Sequence, residues 1–169
     1  MIYPIVKYGD TVLEKPAAPV TEFDDELRKL ADDMFESMYA AHGVGLAAPQ
    51  IGISKRIAVI DVTFKEDPNA KIVLVNPEII HTEGKQSSSE GCLSLPEIRE
   101  KVSRAAKVKV KAQDVTGEWF EVEGEELLAR AMQHEIDHLD GVLFIDRLSR
   151  LKRDLVIRKI KKMIKAGEW

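Results

Sequence analysis

From Asp24 to Ala41 the apolar residues Leu27, Leu30, Ala31, Met34, Phe35 and Met38 recur at steps of three and four. That spacing is one face of a helix, and it predicts Thr21 or Asp24 as the N-cap and Gly43 as the stop. After Gly52 the period changes. Arg56–Val62 and Lys71–Val75 are β-branched runs bounded by turn residues, the second closed by Asn76-Pro77. Ala106–Asp114 sets Val108 and Val110 among Lys107, Lys109 and Lys111, the alternation of a half-exposed strand. Gly117 then leads into a second alternating run, Trp119–Glu123, so the two predict a hairpin. Leu127–Leu139 returns to helical spacing before Gly141. Arg147–Lys165 carries Leu148, Leu151, Leu155, Ile160 and Ile164 among many basic residues, a terminal amphipathic helix. Helices and strands do not alternate as βαβ units. The expected class is α+β, with antiparallel sheets packed around a central helix at 127–139.

The 169 residues predict a single domain spanning 1–169. Apolar residues make up 44% and charged residues 32%, a balance that excludes a disordered chain. No apolar run approaches the ~18 residues of a spanning helix, and the opening residues read neither as a secretion signal nor as a transit peptide. There is one cysteine, Cys92, so no internal disulfide can form. An oxidised secreted scaffold is excluded, and a cytoplasmic location is expected.

The central helix carries candidate chemistry. His134 and His138 stand at i and i+4, so both imidazoles leave one face about a turn apart and can reach one metal ion. Glu135 lies beside the first ligand, where a carboxylate can take a proton from water at the ion's open position. One metalloprotease class continues this pattern to a third histidine. This chain follows it through Gly141 and then has Phe144 at that place. A downstream carboxylate, Asp146 or Asp154, is one alternative third ligand, but both lie in or near the basic terminal helix. Cys92, in Glu90-Gly91-Cys92-Leu93-Ser94-Leu95-Pro96, is the stronger candidate. Cysteine plus two histidines makes a three-ligand catalytic site with a position left for water. Pro96 is expected to end that extended segment.

Residues 43–52, Gly-Val-Gly-Leu-Ala-Ala-Pro-Gln-Ile-Gly, also fit the G-x-G-x-x-G/A dinucleotide fingerprint. A helical pattern precedes them where a strand is required, so a nucleotide site is rejected. Gln50 is left without a role by any plain loop reading.

Three segments together, Gly43–Gln50, Glu90–Pro96 and Gln133–His138, resemble the peptide deformylases at every fixed motif position and in the same order. The resemblance implies hydrolysis of the formyl group from the initiator methionine of nascent polypeptides, with N-formylmethionyl peptides as substrates and formate as product. It implies Cys92, His134 and His138 as metal ligands and Glu135 as general acid/base. Gln50 and the backbone N–H of Leu93 would stabilise the oxyanion. Val44, Gly45, Glu90 and Leu127 are implied as substrate-binding positions, Gly45 pairing its backbone with the extended peptide. Fe²⁺ is the implied ion, and Zn²⁺ or another divalent ion can occupy the same site. Ser88 and Arg130 depart from an apolar methionine pocket. Arg130 is expected to lay its stem on the pocket with its head in water.

Between Arg147 and Lys165 there are nine Lys/Arg and one acid, Asp154. The chain's net −4 thus divides into +8 on this helix and −12 on the rest. Such asymmetry suggests an anionic partner, expected to be ribosomal RNA near the nascent chain. A monomer without membrane attachment completes these expectations.

Overall fold

The computed structural model describes residues 1–169. Asp24, rather than Thr21, caps the first helix, α1 (Asp25–Ala40), accepting from the Leu27 N–H at 3.0 Å. The end of α1 differs from expectation. His42, not Gly43, takes the left-handed conformation at φ 59°, and the N–H groups of His42 and Gly43 close the helix on the carbonyls of Tyr39 and Met38. Glycine is the usual occupant of that position because it has no Cβ to crowd the turn. Here glycine is needed one residue later, since a Cβ on Gly43 would lie 2.8 Å from the Leu93 side chain.

Five strands form one antiparallel sheet: β1 (Gly45–Ala47), β2 (Ile57–Ile60), β3 (Ile72–Glu83), β6 (Lys107–Gln113) and β7 (Trp119–Glu125), in the order β1-β2-β3-β6-β7. β1 is therefore an edge strand. The β6–β7 hairpin matches the alternation of its valines, and Lys107 and Lys109 face the glutamates of β7. β3 does not stop at Asn76-Pro77. It runs on through a bulge between Val75 and Glu78, where proline's missing N–H breaks no ladder bond. The Asn76 side chain fastens the bulge, exchanging bonds with the backbone of Val20 and donating to Gln113.

The remaining strands, β4 (Gln86–Cys92) and β5 (Leu95–Arg104), pair only with each other. Pro96 lies inside β5, within a register shift that sets Cys92 opposite Leu95. The bulge again explains the exception to expectation.

Helix α2 (Glu126–Leu139) carries the histidines through the middle of the molecule. Ala129, Met132 and Ile136 pack on Ile60, Leu74, Val108 and Val110 of the large sheet, while Leu139 meets Ala47 and Ala58. A separate core joins Leu95, Ile98 and Val102 of β5 to Phe144 and to Val156, Ile160 and Met163 of the last helix, α3 (Arg150–Lys165). The buried stripe of α3 is this i, i+4, i+7 set; Leu151, Leu155 and Ile164, expected on its apolar face, are exposed. No helix is long and apolar enough to cross a membrane. The architecture is α+β, antiparallel sheets about a central helix.

Candidate metal centre and peptide cleft

β4 ends at Cys92, directly over α2. The Cys92 sulfur lies 3.3 Å from His138 Nε2, which lies 3.2 Å from His134 Nε2. Both rings are buried. The i, i+4 spacing supplies their common face, and the turn after β4 supplies the sulfur.

Behind the first ring, His134 Nδ1 meets Glu90 Oε2 at 2.6 Å, leaving Nε2 to face the sulfur and His138. Arg104 forks onto Glu90 at 2.8 and 2.6 Å, and Arg130 adds a bond of 2.6 Å. Burial alone would raise the Glu90 carboxyl, but Arg104 and His134 hold it well below the usual carboxylate range. Glu90 thus holds the His134 ring from behind. Both its oxygens are engaged, and it also borders the cleft described below. Arg130 departs from expectation, because its head is buried between Glu90 and the Val102 carbonyl instead of reaching water. The fixed acid of the helix motif, Asp137, accepts from Arg104 and from both arms of Arg147. Arg104 and Asp137 were not candidates from sequence. Asp137 sits inside the Gln133–His138 motif, but nothing nearby in the chain names its partners.

The trio fits a metal ion. Nitrogens and a sulfur about 2.1 and 2.3 Å from a tetrahedral centre stand roughly 3.3–3.6 Å from one another, close to the spacings found. His138 meets the other two groups through Nε2, and its buried Nδ1 has no partner. Burial lowers both rings; Glu135, Cys92 and Glu90 then drive His134 well above the ordinary range, while the charge of His134 drives His138 further below it. Asp146 is engaged elsewhere, by the Leu143 N–H and Arg153. Phe144, where a third histidine would stand, stacks on the His134 ring with centroids 6.3 Å apart.

Three further groups border the trio. Glu135 is buried and its Oε1 has no partner; burial pushes its carboxyl up to about 7 against the pull of His134. Gly45 lets it come that close, because a Cβ there would lie 2.5 Å from Glu135 Oε2. Gln50 is fixed by the Ala47 N–H on its oxygen at 3.0 Å, which turns its amide toward Ser94 Oγ at 3.2 Å and Cys92 at 3.6 Å. The Leu93 N–H, in the turn between β4 and β5, finds no acceptor within the protein. All of this opens into a cleft of about 470 Å³ lined in part by Val44, Gly45, Leu127, Arg130 and Ile98. Ser88 does not line it, but its neighbour Ser89 does.

A sequence profile described as polypeptide deformylase matches residues 2–154. The chain belongs to the polypeptide deformylase family. A curated peptide deformylase of Acidobacterium capsulatum is 73% identical over 169 residues, covering 100% of this chain and 99% of the relative. One from Thermodesulfovibrio yellowstonii is 51% identical over 160 residues, 95% of this chain and 97% of the relative. The crystal structure of a Legionella pneumophila peptide deformylase superposes with a TM-score of 0.91 at 49% identity, covering 99% of this chain and 98% of that one. This deformylase is accordingly a hydrolase of a metalloenzyme family, acting on formylated nascent peptides, with a potential ligand trio in Cys92, His134 and His138.

Proposed function

We propose that the enzyme hydrolyses the N-formyl group of initiator methionine through Cys92, His134 and His138 as ligands of one Fe²⁺ ion, with Glu135 moving the protons. The observation that carries this reading is the meeting of the trio, the unpartnered Glu135 carboxylate and the Gln50 amide at the end of one cleft. A bound ion supplies Lewis acidity toward a water and the formyl oxygen. Zn²⁺ and other divalent ions suit the same donors, and the thiolate's charge tempers Lewis acidity.

The residues act in order. Edge strand β1 aligns the peptide, with Gly45 offering its backbone beside Glu135. Val44 and Leu127 border the methionine side chain. Glu135 Oε1 takes the proton of the attacking water. Negative charge then grows on the formyl oxygen, where the Gln50 amide and the Leu93 N–H donate; one such donor is typically worth ~10²–10³ in rate. Glu135 returns its proton to the leaving amine, releasing formate and a free N-terminus.

Formate release with Fe²⁺ under anaerobic conditions tests the assignment. Glu135→Gln is expected to bind the ion and lose at least about 10²-fold in activity. Cys92→Ala is expected to lose the ion. A Glu135→Gln protein as active as wild type overturns the mechanism. Cleavage of internal bonds in unformylated peptides would favour a peptidase instead.

One chain supplies every group named, which supports action as a monomer, and the substrate supports a cytoplasmic location. The exposed lysines of α3 support contact with ribosomal RNA. Charge reversal at Lys159, Lys161 and Lys162 is expected to weaken co-sedimentation with ribosomes and flatten its salt dependence. Unchanged co-sedimentation across salt would remove that assignment.

A further inference from the structure

Gln50 and Ser94 reach each other from different parts of the fold. Gln50 lies in the short helical turn that follows β1, and Ser94 in the turn between β4 and β5. Both are buried, Ser94 completely. Residues 6–8 tie the two backbones together. The Val6 N–H donates to the Gln50 carbonyl at 2.7 Å, and the Tyr8 N–H donates to the Ser94 carbonyl at 2.8 Å.

The Gln50 amide needs such a frame. The last torsion of a glutamine side chain is broad, so its rotamer alone does not fix the plane of the amide. Here the Ala47 N–H holds the amide oxygen at 3.0 Å, and Ser94 Oγ accepts from the nitrogen at 3.2 Å. That nitrogen carries two hydrogens. With one given to Ser94, the other is left on the side of Cys92 Sγ, 3.6 Å away, where the formyl oxygen would sit. Ser94 makes no hydrogen bond to Cys92, His134 or His138, and it does not line the cleft. Its side chain bonds to Gln50 alone.

We infer that Ser94 is a positioning residue for the reaction, its hydroxyl fixing the plane of the Gln50 amide so that one N–H stands ready for the formyl oxygen. This rests on the deformylase reading, and within it on Gln50 as an oxyanion donor. Charge reaches that oxygen only as water adds, so the serine acts on kcat and leaves KM unmoved. Without the hydroxyl the amide is free to turn about its last torsion, and part of the donor's effect is lost.

Turnover of formyl-Met-Ala by wild type, Ser94→Ala, Gln50→Ala and the double variant, each loaded with Fe²⁺ under anaerobic conditions, closes a cycle that tests this. Gln50→Ala is expected to lose about 10²–10³ in kcat. Ser94→Ala is expected to lose about tenfold at unchanged KM, less than loss of the donor itself. In the Gln50→Ala background the same substitution is expected to cost nothing further, because the group it holds is gone. Chelator competition with Zn²⁺ is expected to give Ser94→Ala the affinity of wild type. A Ser94→Ala protein with wild-type kcat overturns the positioning role. So does a tenfold loss that persists in the Gln50→Ala background, or a weakened Zn²⁺ affinity, since either places the serine's effect on the fold or the ligands. Formate from wild type and its loss in Gln50→Ala, beside an unimpaired Ser94→Ala, sinks the positioning role alone. No formate from wild type, or full activity in Gln50→Ala, sinks the underlying reading with it.

Discussion

At the scale of single residues the site depends on how closely its parts approach. The hydrogen-only side chain of Gly45 lets Glu135 stand beside the strand, and a methyl group would fall 2.5 Å from the carboxylate. Gly45→Ala is therefore expected to displace Glu135 and cost about 10²-fold or more in formate release, with little change in the urea unfolding midpoint. An active Gly45→Ala protein would mean that Glu135 has another resting place. The candidate ligands His134 and His138 were legible because i, i+4 spacing is a local, periodic property of a helix. Glu90 and Arg130 were not. Their roles come from each other and from Arg104, and a long side chain's choice between water and a buried carboxylate leaves no trace in the residues beside it.

At the scale of elements the same division holds. α1, α2 and the β6–β7 hairpin follow from period and turn chemistry. β4 does not, because Gln86-Ser-Ser-Ser-Glu-Gly-Cys92 has no apolar alternation and is a strand only through its pairing with β5. The turn at 61–65 is likewise set by one buried carboxylate, and its stability should answer to pH. Burial would raise Asp61, but bonds from Tyr39 and Thr63 hold it at about 2 against an ordinary 3.8. Its contribution is full above about pH 4 and is lost as pH falls through about 2. Burial and the bond to Asp61 push the Tyr39 phenol from 10.0 to about 12, so that part is full below pH 10 and is lost as pH rises through about 12. Urea midpoints measured across pH should show Tyr39→Phe losing the alkaline limb entirely and part of the acid one. Curves that superimpose on wild type would show that the bond carries no stability.

At the scale of the molecule, two bodies meet at the site. Cys92 belongs with β4, β5 and α3, whose apolar residues form one core, while His134 and His138 belong with the helix packed on the large sheet. Composition and net charge suggested one domain without revealing this division, since hydrophobic clusters become separable only in three dimensions. A cation bound by both bodies is in effect a removable cross-link between segments 42 and 46 residues apart in the chain. Like any cross-link it restricts the opened state more than the closed one. Chelation should accordingly speed hydrogen exchange in β4 and β5 well before β2 and β3, and lower Tm, while added Fe²⁺ or Zn²⁺ restores both. Uniform exchange throughout the chain on chelation would mean that the two bodies open as one. Metal supply would then set the lifetime of the folded enzyme as well as its turnover, so that a cell short of the ion would hold less protein and not merely idle protein.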